Sequence, residues 1–169
     1  MNKPSVVITH HAVSLKSHTV EDVDDWHKNR WAGFTSKYFK NEHDEYYHVG
    51  YHYVIDWYGK VTQTRGHHEE GAHTIGMNNS SIGVCFMGNF DNHLPSPAQE
   101  KEWKILYKKL QGNYPNIPTK PHRAYARKSC HGKMLTDNHF ATKDNTLALK
   151  QELLRLMIIL LSLIRKKHG

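Results

Sequence analysis

The chain has 169 residues, 38% hydrophobic and 23% charged, the proportions of a folded globular chain and not of a disordered one. That length holds one hydrophobic core, and two cysteines exclude a disulfide scaffold. Lys and Arg number 23 against 16 Asp and Glu, a net charge of +7, which suits an anionic partner such as a nucleic acid, a cell-wall polymer or a lipid surface. Protonating all 15 histidines would take the charge to +22, so acid makes the protein far more cationic.

No secretory signal is expected, because residues 1–4 run directly into a β-branched segment, 5–10 (SVVITH), that reads as a buried strand. Thr19 opens T-V-E-D, close to a capping box, and Val20, Val23, Trp26 and His27 then recur at helical spacing, predicting a first helix over 20–30. Residues 33–49 form a long connection rich in Tyr, His and acidic groups, of the kind that serves as a lid or binding loop. Residues 50–57 (GYHYVIDW) and 61–65 (VTQTR) flank a Gly turn and read as a hairpin. A second loop, 66–80, leads into 81–88 (SIGVCFMG), apolar enough for a central strand. Ser96-Pro97-Ala98-Gln99 starts a helix whose apolar face is Trp103, Leu106, Tyr107 and Leu110, with Gly112 as its stop. Pro115, Pro118 and Pro121 mark an extended link, and a last helix is expected from about Thr146 to Lys167. Strands and helices alternate without strict βαβ spacing, so the expected class is α/β (α+β), a single domain with a central mixed sheet flanked by helices.

Three residues could hold a metal. His10 ends the first strand, and His122 and Cys130 share a late loop with seven residues between them. Imidazole and thiolate are good zinc donors, and three protein ligands leave a fourth position open for water. Among 15 histidines, accidental pairs are common. The plain alternative is a set of polar loop histidines and one small buried cysteine.

The segments ITHHAVS, VGYHYVID, YGKV, TR, GAH, SIGVCFMGNF, PSPAQ and H-x7-C follow one another in fixed order. Together they resemble the zinc-dependent N-acetylmuramoyl-L-alanine amidases that share a fold with the peptidoglycan recognition proteins, above all the small single-domain phage endolysins. The resemblance covers about residues 6 to 132. It implies an amidase-like fold over 1–145, with Zn²⁺ held by His10, His122 and Cys130. Tyr51 and Lys128 fall on the catalytic positions, and Arg65, His73 and Asn78 border the implied substrate groove. Each has a plainer reading: Tyr51 as a cross-strand aromatic, Lys128 as a solvated loop lysine, Arg65 as a surface charge, and Asn78 as turn chemistry. Cys85 reads as buried strand filler. The family often has Cys-Pro-Gly where this chain has Cys130-His131-Gly132, so His131 could compete as a donor, as could His11 beside His10.

The substrate implied is bacterial peptidoglycan, cut at the amide between N-acetylmuramic acid and the L-alanine of the stem peptide. An enzyme of this kind is expected to be a monomer made in the host cytoplasm that reaches the wall after the membrane is permeabilised. The alternative is a non-catalytic peptidoglycan-binding module, but such members commonly lack the cysteine ligand. No nucleic-acid partner is expected, since no recognition motif or Lys/Arg-dense helix accompanies the positive charge. Nor is there a convincing carboxylate pair for a glycosidase.

Residues 146–169 read as a hydrophobic, cationic helix belonging to the same domain. Its longest charge-free run, 156–164, is nine residues, far short of the roughly 18 a spanning helix needs. Packing on the sheet is one reading. Contact with a membrane interface, or pairing of two chains, is the other.

Overall fold

The computed structural model describes residues 1–31, 33–141 and 154–157. Five strands, β1 (Val6–His11), β2 (Tyr53–Ile55), β3 (Val61–Gln63), β4 (Ser81–Phe86) and β5 (Thr119–Pro121), form one sheet in the order β3-β2-β4-β1-β5. The β2–β3 pair is antiparallel and the other three pairings are parallel. This is the mixed sheet expected, with helices α1 (Val20–Arg30) and α2 (Pro97–Asn113) packed against it.

Strand alternation sorts the side chains onto two faces. Tyr53, Ile55, Ile82, Val84 and Phe86 point to one face and pack with Trp103, Leu106, Tyr107 and Leu110 of α2. Val54 and Cys85 point to the other and pack with Val20 and Val23 of α1. His10 pairs in register with Cys85 and shares that second face. β1 is buried along all six residues, as befits a parallel strand covered on both sides.

α2 starts where its sequence says it should. Ser96 Oγ accepts the Gln99 amide at 3.0 Å and Gln99 Oε1 accepts the Ser96 amide at 3.1 Å. Gln99 Nε2 then donates to Ile55 O and Met87 O, so the capping residue also ties the helix to the sheet. At α1, Asp22 takes the usual Glu role, its carboxylate accepting the Thr19 amide at 2.7 Å.

Three expectations are revised. The strand predicted over 50–57 is shorter, and Tyr51 lies in the bend just before β2. The proline-rich link contains a strand, β5, at the edge of the sheet beside β1, where missing N–H donors are tolerated. The connection 33–49 is not a free lid. Arg65 is 1% exposed, and its guanidinium donates to Val49 O, Thr35 O and Phe34 O while lying 4.1 Å over the Phe34 ring. Buried Glu69 accepts the Lys37 and Gly66 amides and the Ser36 hydroxyl. Together these two side chains staple the connection to the core.

The C-terminal helix predicted from Thr146 falls outside the described residues except for 154–157, which are helical and exposed. Among the described residues, no helix is long and apolar enough to cross a membrane.

Phe86 is fully buried and stacks on Phe140 with ring centroids 4.2 Å apart. Phe86→Ala is expected to cost about 3–5 kcal/mol in urea unfolding. Tyr58→Ala, at a site 76% exposed, should stay within about 0.5 kcal/mol of the parent.

Candidate metal centre

His10 stands at the C-terminal end of β1, where ligands collect in sheets with parallel strands. β5 runs parallel beside it, and the residue after β5 is His122, the first of a short 3₁₀ turn, His122–Ala124. The edge strand thus delivers a second imidazole to the first. Cys130 closes the group from the following loop. One donor atom from each of His10, His122 and Cys130 lies within 4.8 Å of the others. A tetrahedral zinc with Zn–N of about 2.0–2.1 Å and Zn–S of about 2.3 Å sets nitrogen and sulfur ligands about 3.6 Å apart. Nδ1 of His10 and Sγ of Cys130 are 3.7 Å apart, so this pair matches that spacing, and the three donors suit the ion in chemistry.

The electrostatics agree. Burial holds the His10 imidazole well below its usual 6.5, with His73 and His122 adding to the effect. Burial and then the Lys128 ammonium push His122 down to about 4. Both rings are neutral at pH 7, as metal ligation requires. Burial pushes the Cys130 thiol up to about 11, against the His11 amide and the Lys128 charge. A coordinated dication reverses that preference, because a coordinating thiol is deprotonated outright.

Tyr51 lies against the group, its ring centroid 5.0 Å from that of His10. Burial, then neighbouring Cys85 and Cys130, hold the phenol well above its usual 10, so it is a neutral hydrogen-bond donor at any physiological pH. Lys128 is exposed on the loop between the two late donors, and its charge is felt by both.

The other expected residues are placed differently. His73 touches the metal group itself, its Nδ1 3.0 Å from His10 Nε2. Asn78 holds the His73 loop, its Oδ1 accepting the His73 and Thr74 amides at 2.9 and 2.8 Å, which is the turn chemistry of its residue type. Arg65 is corrected outright. All of its donor nitrogens point at main-chain carbonyls in the interior, so it is no groove wall.

Neither rival donor is free. Alternation turns His11 to the opposite face of β1, where its Nδ1 accepts the Phe90 amide at 2.9 Å. His131 is fully buried, with Nδ1 2.6 Å from the Thr9 hydroxyl and Nε2 3.1 Å from Thr136 O.

Several further residues support the site. Arg123 donates to Asp137, Gly132 O and Leu135 O, each at 2.6 Å. Asp91 accepts from the Ser129 hydroxyl and the Lys133 amide. These bonds hold the loop that carries Cys130. The one hint of them in the sequence is that Arg123 directly follows a donor histidine.

A family model described as N-acetylmuramoyl-L-alanine amidase matches residues 1–133. Peptidoglycan-recognition protein 2 of Holotrichia diomphalia is 30% identical over 105 residues, covering 57% of this chain and 49% of that protein. The endolysin of Escherichia phage T7 is 29% identical over 117 residues, covering 66% of this chain and 68% of that protein. Among solved structures, N-acetylmuramoyl-L-alanine amidase LysC from Clostridium intestinale URNW has the same fold, with a TM-score of 0.68 at 24% identity over 82% of this chain and 83% of that one. The match spans about half the length of the recognition protein and about two-thirds of the endolysin.

His52 and His131 are both fully buried, and burial pushes each from 6.5 to about 4. The unfolded chain therefore takes up protons first as the pH falls. Their stabilisation is complete above pH 6.5 and is lost towards pH 4, by up to about 1.4 kcal/mol per pH unit for each ring. Urea midpoints of the metal-free protein should fall between pH 7 and pH 5, and a flat profile would contradict the assignment.

Proposed function

Since the chain belongs to the N-acetylmuramoyl-L-alanine amidase family, we propose that it is a zinc-dependent peptidoglycan hydrolase of the endolysin kind. It cleaves the amide between N-acetylmuramic acid and L-alanine. One observation supports this reading: donor atoms of His10, His122 and Cys130, from the two ends of the described fold, lie within 4.8 Å of one another, with Tyr51 beside them. Members of the family that only bind peptidoglycan commonly lack the cysteine, so Cys130 favours a hydrolase.

His10, His122 and Cys130 would hold the ion through two neutral imidazoles and a thiolate. Zn²⁺ held there would supply a water acidified to a pKa of about 7 and would polarise the carbonyl oxygen. The residues of the chain do the rest. Hydrolysis adds water across the lactyl carbonyl, breaks its bond to the alanine nitrogen and leaves a carboxylate and an amine. Negative charge gathers on the former carbonyl oxygen on the way. Lys128 brings an ammonium to that charge, and Tyr51 donates a hydrogen bond beside it. Preorganised donors of this kind lower the barrier because they need not reorganise as the charge develops. Residues 1–145 form the catalytic unit, and the net charge of +7 favours approach to an anionic wall, where the enzyme acts.

The test uses purified peptidoglycan. New free L-alanine amino termini that vanish with a chelator and return with zinc are the expected products. New reducing sugar ends, or binding without products, would overturn the reading. Cys130→Ser should lose both the metal and turnover. Lys128→Ala should keep the metal and lose about 10²–10³-fold in kcat; full activity in that variant would remove Lys128 from the mechanism.

A further inference from the structure

The GAH loop is built around one imidazole. His73 lies in a slot between Gly71 and Gly83, where a Cβ on either glycine would come within 2.5 or 2.6 Å of its ring. Asn78 Oδ1 holds the main chain at His73 and Thr74. The ring is therefore held by close packing against two glycines and through its own backbone.

Its hydrogen bonds run in one direction. Ser81 Oγ lies 2.6 Å from Met77 O, and a carbonyl only accepts, so the Ser81 proton is committed there. Ser81 Oγ is also 3.4 Å from His73 Nε2 and must accept from it, which places the His73 proton on Nε2. That leaves His73 Nδ1 bare, 3.0 Å from His10 Nε2, and the bond forms only if His10 carries its proton on Nε2. The bare nitrogen of His10 is then Nδ1, the atom 3.7 Å from Cys130 Sγ. The Thr74 hydroxyl, 3.0 Å from His73 Nδ1 and 3.4 Å from His10 Nε2, donates to the same bare nitrogen, and its oxygen is placed to accept from the protonated His10 Nε2.

The geometry points to His73 as a positioning residue: anchored through Ser81 to the Met77 carbonyl, it fixes the tautomer and tilt of His10 so that Nδ1 faces the metal. This rests on the zinc reading above and replaces the role of substrate contact that the sequence suggests for His73. The need is general, since metal-bound histidines almost always donate their second N–H to a fixed acceptor, and removing that acceptor typically weakens metal binding about 10–100-fold. Here the acceptor is another imidazole, itself held by a serine.

The test measures zinc affinity, not activity, by competition with a chromophoric chelator. Circular dichroism and the urea midpoint of the metal-free protein confirm folding. His73→Ala should bind zinc about tenfold more weakly or worse. His73→Asn, whose Oδ1 can accept where Nδ1 did, should recover most of the loss, and Ser81→Ala should show a smaller loss in the same direction. If the wild-type protein binds one zinc and folded His73→Ala binds it within about twofold as tightly, the positioning role is wrong while the metal reading stands. A rise in KM alone would then return His73 to the substrate groove. If the wild-type protein takes no zinc, both fall.

Discussion

The alternation of side chains along one buried strand governs the whole arrangement. β1 is covered on both faces and locked between β4 and β5, with His10 opposite Cys85 in the register. A slip of one residue would move every side chain to the other face. The strand would then offer His11 to the metal and His10 to the core. Hydrophobic packing prevents this, because Val7 belongs with the α2 cluster. The neighbours of His10 are busy on the other side: Thr9 binds His131, and His11 binds the Phe90 amide. The same strand thus presents one donor and braces the loop that brings another.

That bracing matters because the donors are far apart in sequence. His10 and Cys130 are separated by 120 positions. Two devices close the distance. β5 sets His122 beside β1 through main-chain pairing, and Arg123 and Asp91 then shape the loop so that Cys130 comes back to the strand. The His11 amide faces the sulfur at 3.4 Å, so the strand holds the Cys130 side chain directly as well. A site assembled this way is braced on the protein side and would leave a bound metal little freedom in geometry, as a preorganised centre requires.

Much of this fold is legible in the sequence. The two helices and the central strand announced themselves through period, capping residues and apolar runs, because those signals are local. α2 begins at its Ser-Pro-x-Gln box and ends one residue beyond the glycine expected to stop it. β5 was not readable, since its prolines argue against a strand, and only a vacant edge beside β1 makes them acceptable. Arg65 misled for a related reason. An arginine is by default a surface residue, and its burial depends on carbonyls at 34, 35 and 49 that no local pattern reveals. The contacts of His73 with His10, Thr74 and Ser81 are likewise invisible to any local pattern. The motifs marked where the chemistry gathers. Which groups form the candidate donor set, which support those groups and which support the loops depends on contacts between distant parts of the chain.

X-ray absorption at the zinc edge of the loaded protein tests the central claim most directly. The account predicts a first coordination sphere with one sulfur at about 2.3 Å and two imidazole nitrogens at about 2.0–2.1 Å, plus one light atom from solvent, and loss of the sulfur signal in Cys130→Ser. A zinc surrounded only by nitrogen and oxygen in the wild-type protein, or a sulfur that survives the substitution, would contradict it.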